Sequence, residues 1–315
     1  MAGRPVAVIG AGLVGSGWAI VFARAGFAVR VFDQNAATLA AFGQAVGDSL
    51  ADLQRFGLVD DPAAIAARMS VAGSLAEAVD GVAYVQESVF ERVDVKCALY
   101  EQLDAVLGPE TIVGSSSSGI PASAFTEGLA SRSRCLIAHP VNPPYLVPVV
   151  ELVPAPWTDA AAVAATRSLM QAVGQVPVTL TREVQGFVLN RLQGALLREA
   201  WALFDEGYCS AQDIDNTVCH GLGLRWSFMG PFETIDLNAP AGVRDYAERL
   251  GGLYLDIVRS RADPQPWGDA LVGRVEAERR GRLPLSGLPG RCRWRDQRLM
   301  ALAAHKRAMA EETGE

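Results

Sequence analysis

VAVIGAGLVGSGWAIVFARAGFAVRVFD, residues 6–33, decides how the rest of the chain is read. The apolar run VAVI is followed at once by Gly10, Gly12 and Gly15 in the spacing G-x-G-x-x-G, and then by apolar residues at helical spacing. Each glycine answers a separate demand. Gly10 permits the tight turn, Gly12 lets the backbone approach a pyrophosphate, and Gly15 lets the helix pack closely on the strand. The helix that starts there offers unpaired N–H groups and the positive end of its dipole to phosphate. A second β-rich run ends in Asp33, 23 residues after Gly10, where a carboxylate can accept both ribose hydroxyls. That carboxylate would repel a 2′-phosphate, and the next residue is Gln34, with no arginine placed to neutralise one. NAD is therefore expected rather than NADP.

Outward from this stretch, short β-rich runs alternate with helical patterns as far as about residue 182. Strands are expected at 6–9, 28–32, 82–86, 111–115, 134–139, 149–153 and 177–181, with helices between them, for example over 13–25 and 92–107. Such alternation predicts an α/β, Rossmann-type domain with a mostly parallel sheet covered on both faces. Its ligands should sit at the carboxyl ends of the strands. From residue 186 the strands cease and apolar residues recur at helical spacing, which predicts an all-helical second domain. The expected division is 1–184 for NAD binding and 185–315 for substrate and dimer contacts. The segment GRLPLSGLPGRCRWRDQR (281–298), punctuated by glycine and proline, reads as an irregular excursion before a last helix.

Bulk properties exclude several classes. A net charge of −7 disfavours a nucleic-acid partner, which would need a basic face. No apolar run is long enough to cross a membrane and no basic leader precedes the first strand, so a cytoplasmic location is expected. The five cysteines have no pair at metal-binding or redox spacing and read as free thiols; no metal is expected. Only two lysines occur, Lys96 and Lys306, so each retained one invites a question.

A second constellation lies in IAHPVNPPYLVPVVE, residues 137–151. A strand ending in His139 delivers an imidazole to the edge where a nicotinamide would lie, and Pro140, Pro143 and Pro144 fix the backbone's exit. Glu151 falls in the next strand, where a sheet can bring it to the ring, orient it and stabilise its protonated form. Oxidation of an alcohol needs such a base, because the hydroxyl proton must leave as the hydride does.

With these motifs in hand, the sequence resembles the L-3-hydroxyacyl-CoA dehydrogenase family. The resemblance runs almost end to end through GAGLVGSGWA, QESVFERVDVK, SSSSGI, HPVNPPYLVPVVELVP, GFVLNRLQ, HGLGLRWSFMGPFET and RWRDQRLM. It implies His139 as catalytic base with Glu151 as its partner. It also implies that Ser118 contacts the substrate oxygen, with Asn190 on the opposite side, and that Asn142 holds the turn after His139. For the cofactor it adds Leu13 and Val14 at the phosphate loop, with Glu91 and Lys96 nearer the ribose and nicotinamide. A homodimer through the helical domain is implied as well. On the residues alone Ser115, Ser116 or Ser117 could serve in place of Ser118, Asn190 could be a helix cap, and Glu91 and Lys96 could form a solvated helix face.

The acyl-CoA members of this family need cations for a nucleotide-pantetheine arm, and the stretch 40–72 holds only Arg55 and Arg68. A small free L-3-hydroxy acid is therefore expected, L-gulonate first. Arg225, after two glycines in GLGLRW, is the candidate grip for its carboxylate, since a guanidinium binds a carboxylate at two points. The alternatives are a 3-hydroxyacyl-CoA thioester, L-carnitine, an ion-pair role for Arg225 with Glu233 or Asp236, and a purely structural protein.

Overall fold

The first strand, β1 (Val6–Ile9), is buried along its whole length, as a strand covered on both faces must be. The computed structural model describes residues 3–314 apart from 262 and 264. Successive residues of β1 feed opposite cores. Val6 and Val8 join Trp18, Phe22, Phe42, Val46, Leu50 and Leu53 on one face. Ala7 and Ile9 join Val85, Leu99, Tyr100, Leu103, Val113 and Ile137 on the other. This period of two follows from the pleat. The helix α1 (Leu13–Arg24) is buried from Trp18 to Ala23, which explains its unbroken apolar run. The helix α2 (Ala36–Arg55) is capped by Asn35, whose side chain accepts the N–H groups of Ala37 and Thr38. It buries the one-sided stripe Phe42, Val46, Leu50 and Leu53, as a surface helix does.

The remaining strands are β2 (Val29–Phe32), β3 (Met69–Val71), β4 (Tyr84–Glu87), β5 (Ile112–Ser115), β6 (Cys135–Pro140), β7 (Val149–Pro154) and β8 (Val176–Thr179). They form one sheet in the order β3-β2-β1-β4-β5-β6-β7-β8. All pairings are parallel except β6 with β7. The order reverses direction between β1 and β4, which opens the crevice where doubly wound sheets bind ligands. The fold is thus a Rossmann-type α/β sheet followed by a helical region.

Two expectations need correction. The edge strand β3 went unrecognised because its three residues, half exposed, carry no readable alternation. The segment 281–298 is not an irregular excursion: the helix Asp269–Arg282 is followed by one 3-10 turn and then by the helix Leu288–Thr313. Pro289 is tolerated because it sits in the first turn, where its missing N–H would have had no partner.

Contacts divide the chain into two units, residues up to Arg191 together with those from Gly290 on, and Leu192–Pro289. A single cut at 184/185 therefore differs from the structure at the C-terminus, where Met300 is buried in the first unit's core. The second unit is wholly helical, and among its described residues only Thr234 and Ala239 are buried. No described helix is long and apolar enough to cross a membrane.

The glycines of the first turn separate packing from binding. A Cβ on Gly15 would lie 1.8 Å from the Gly10 carbonyl oxygen, whereas a Cβ on Gly12 meets nothing within 4 Å. Gly15→Ala is expected to lower Tm by roughly 5–10 °C, because the backbone of the turn must move. Gly12→Ala should leave Tm unchanged yet weaken NADH binding, since its methyl occupies the space meant for phosphate. Thermal melts with and without NADH check both.

Candidate active site

The carboxyl ends of β1, β2 and β4 border a cleft of about 740 Å³ lined by Gly10, Gly12, Leu13, Asp33, Ser88 and Phe90, among others. The start of α1 has no side-chain cap, so the N–H groups of Leu13 and Val14 face the cleft mouth without a capping partner. Asp33 is held in position: Oδ2 accepts the Ala11 N–H and Oδ1 the Asn35 N–H, both at 2.8 Å. The open space above Gly12, the uncapped helix end and the oriented carboxylate fit a dinucleotide with a free ribose 2′-hydroxyl.

The antiparallel register sets His139 directly opposite Glu151. Opposed residues of such a pair share a face, and here His139 Nδ1 lies 2.8 Å from Glu151 Oε2, with both residues buried. Glu151 Oε1 accepts the N–H groups of Val188 and Leu189 at 2.7 and 3.0 Å, at the start of the helix Leu189–Asp205. Burial raises the Glu151 carboxyl, but the hydrogen bonds from His139, Leu189 and Val188 outweigh it and hold the group below its ordinary value. An ionised Glu151 can only accept, so Nδ1 presents its N–H to it, and in the neutral tautomer this selects the free lone pair is on Nε2. The ring is therefore poised as a base.

Phe187 makes this arrangement possible. It sits at φ 51°, a left-handed conformation that a bulky residue rarely adopts, next to Gly186 at φ 77°. Strain of this kind costs on the order of 1–3 kcal/mol. It is offset by full burial of the ring, whose centroid lies 5.7 Å from that of His139, and by the two N–H groups the turn aims at Glu151. After His139, Pro144 packs on α1, where any Cβ at Gly17 would meet its Cδ at 2.7 Å. The His139 loop thus rests on the cofactor helix.

A third cluster surrounds Glu91. Its Oε1 accepts Ser117 Oγ at 2.9 Å and the N–H groups of Ser118, Gly119 and Ile120 at 2.8, 2.5 and 3.3 Å, and its Oε2 accepts the Ser118 hydroxyl. Partial burial raises this carboxyl, and the bonds from Ser118, Gly119, Ser117 and Ile120 more than reverse it. Glu91 therefore folds the serine loop. Asn190 Nδ2 donates to the Ser118 carbonyl oxygen at 2.8 Å. The segment 188–190 thereby ties the His139–Glu151 pair to the Ser118 loop.

Lys96, expected nearer the ribose and nicotinamide, is engaged within the protein. It is fully buried, and its three N–H bonds go to both Glu87 oxygens at 2.9 Å and to Ser115 Oγ at 3.3 Å. With these bonds it ties β4 to β5. Arg225 lies on the short helix Gly223–Trp226 of the second unit, is exposed, and forms no ion pair with Glu233 or Asp236 among the described residues. The roles of Glu87, Ser117 and the turn at Phe187 escaped the sequence. Only Gly186 ahead of the helix hinted at the turn.

His139→Ala is expected to lower kcat by about 10²–10⁴ while NADH still binds, as measured by steady-state kinetics and fluorescence titration. Glu151→Gln tests the carboxylate by its pH dependence. Because the folded value is depressed, the stability it contributes is present above the ordinary value of 4.5 and fades as pH falls through the lowered one. The Tm gap between wild type and Glu151→Gln should be largest at neutral pH and close in acid.

Comparison with known proteins agrees with this geometry. The 3-hydroxyacyl-CoA dehydrogenase NAD-binding domain model matches residues 5–184, and the C-terminal domain model matches residues 186–281. Lambda-crystallin of Oryctolagus cuniculus is 38% identical over 309 residues, covering 96% of this chain and 97% of the relative. The L-carnitine dehydrogenase of Pseudomonas aeruginosa is 35% identical over 303 residues, covering 95% and 92%. Among solved structures, an NAD+-dependent dismutase named 5-formyl-3-hydroxy-2-methylpyridine 4-carboxylic acid 5-dehydrogenase superposes with a TM-score of 0.73 at 31% identity, covering 80% of this chain and 81% of that one. With both domain models matched in order and relatives aligned over nearly their full length, the chain belongs to the 3-hydroxyacyl-CoA dehydrogenase family of NAD-dependent oxidoreductases.

Proposed function

We propose that this enzyme oxidises a small free L-3-hydroxy acid to the 3-oxo acid, with L-gulonate as the favoured substrate. The observation that carries the reading is the His139–Glu151 pair, which leaves Nε2 as the one basic atom of a buried imidazole. NAD, when bound, supplies the hydride acceptor. His139 Nε2 takes the hydroxyl proton, and Glu151 balances the imidazolium that results, itself held by two backbone N–H groups. The Ser118 hydroxyl, now donating to Glu91, turns to the substrate oxygen when the acid arrives. Glu91 keeps its other four donors, so the loop stays folded. Asn190 fixes that loop from the helix side.

A free acid is favoured over a thioester by the cations of the stretch after β2. Arg55 pairs with Asp52 at 3.2 Å, and Arg68 donates to the Ala23 carbonyl at 3.3 Å. Each already has a protein partner, and two such cations are few for a nucleotide-pantetheine arm. A carboxylate needs one cation instead, and Arg225 is an exposed guanidinium with no ion-pair partner among the described residues. By name, one relative acts on L-carnitine and one solved structure on a pyridine carboxylic acid, while another relative at 34% identity is a 3-hydroxyacyl-CoA dehydrogenase, so the substrate panel below decides between them.

The second unit supports a homodimer. A helical unit with two buried residues among those described has little core of its own, and the helix Gly242–Ser260 exposes Leu253, Tyr254, Ile257 and Val258. The five cysteines are free thiols, which suits a reducing cytoplasm.

Two measurements test these points. Absorbance at about 340 nm with NAD and a panel of L-gulonate, 3-hydroxybutyrate, L-carnitine and 3-hydroxybutyryl-CoA should give the highest kcat/KM with a free acid. Arg225→Met should raise KM for that acid about 10- to 100-fold, the worth of a charged hydrogen-bonded pair; faster turnover of the thioester would refute the assignment. Light scattering should give about twice the 33.4 kDa chain mass, and Leu253→Asp combined with Ile257→Asp should halve it.

A further inference from the structure

Behind the cofactor cleft lies a buried polar chain that the reaction above does not use. Gln86, in the middle of the sheet, is completely buried. Its Nε2 donates to Ser116 Oγ at 2.8 Å and to the Ala138 carbonyl oxygen at 3.2 Å, and its Oε1 accepts the Tyr84 hydroxyl at 2.8 Å. Ser116 Oγ also accepts Trp18 Nε1 at 3.2 Å and lies 2.8 Å from Ser88 Oγ. Gly114 gives the Tyr84 hydroxyl its room, since a Cβ there would stand 1.9 Å from that oxygen.

The direction of every proton in this chain follows from its two ends. A carbonyl oxygen can only accept, so the Gln86 atom facing Ala138 is the amide nitrogen and the Gln86 oxygen must face Tyr84. Burial keeps the Tyr84 hydroxyl protonated, which suits it as the donor there. An indole N–H can only donate, so Trp18 occupies one lone pair of Ser116 and Gln86 Nε2 the other. The single proton of Ser116 has one place left to go, to Ser88 Oγ. Ser88 therefore receives a hydrogen bond from behind, and its own proton is left to point forward.

What lies forward is the dinucleotide cleft, which Ser88 lines. Ser88 is the first residue beyond β4, bound to β1 through its N–H to the Ile9 carbonyl at 2.7 Å. Its backbone also packs against Gly10, where a Cβ would meet the Ser88 carbonyl oxygen at 2.5 Å. In the strand order it follows β4, which lies between β1 with its phosphate turn and the β5–β6 side that carries His139, whereas Asp33 follows β2 on the other side of β1. We infer that Ser88 is a cofactor-binding residue whose hydroxyl donates to an oxygen acceptor on the nicotinamide side of the dinucleotide, a ribose hydroxyl or a phosphate, with its proton aimed by the relay from Gln86 and Trp18 through Ser116.

Isothermal titration of the full-length enzyme with NADH, ADP-ribose, ADP and AMP tests this without turnover. Ser88→Ala should weaken NADH about 3- to 10-fold, the worth of one neutral hydrogen bond, and leave AMP unchanged. A loss shared by ADP-ribose but not ADP assigns the contact to the distal ribose; a loss already present with ADP assigns it to the phosphates. Ser88→Thr, which keeps the hydroxyl, should restore affinity and guards against a packing artefact, with Tm measured for both variants. Unchanged NADH affinity in Ser88→Ala, equal losses for NADH and AMP, or failure of Ser88→Thr to restore binding would overturn the assignment. None of these outcomes depends on which hydroxy acid the enzyme oxidises.

Discussion

One carboxylate, Glu151, holds the site together. Its first oxygen takes the proton-bearing nitrogen of His139 and its second takes two N–H groups at the opening of the helix Leu189–Asp205. A buried carboxylate without such partners would be costly. Here the partners are supplied by two separate constraints: an antiparallel pairing that places the two residues opposite one another, and a left-handed turn at Gly186–Phe187 that no ordinary helix start would adopt. The polarity of the imidazole is a consequence of both.

The same economy recurs around Glu91, where five donors converge on one side chain and impose the shape of the serine loop. Glu87 and Lys96 do the equivalent inside the sheet. Breaking such a buried pair by removing one partner is costly, so Lys96 is tied to the rigidity of the β4–β5 edge, on which the cleft depends. Three acidic residues thus fix a helix start, a loop and the join of two strands, and of these Glu151 is the one hydrogen-bonded to the imidazole.

Much of this was legible beforehand because it rests on local rules. The turn at Gly10–Gly15, the carboxylate at Asp33 and the strand ending in His139 each follow from spacing and residue type, and the sheet was readable from the alternation of strands and helices. What the sequence hid depends on contacts between distant segments. Glu91 and Lys96 sit only five residues apart, one just ahead of the helix Val93–Val106 and the other within it, yet one folds a loop and the other is buried in an ion pair. The short strand β3 and the helix beginning at Leu288 were concealed by low alternation and by Pro289. The hydrogen bonds to Val188 and Leu189 involve backbone atoms, which carry no residue signature at all.

The two bonds to Asp33 bear on any attempt to re-engineer the nucleotide preference. Replacing this acid with a small or basic residue, to admit an extra phosphoryl group, would also strip the Ala11 and Asn35 N–H groups of their acceptors. The first sits within the glycine turn and the second at the cap of α2. Redesign at this position therefore has to restore two acceptors as well as remove one charge, and a single exchange would loosen the pocket it set out to convert.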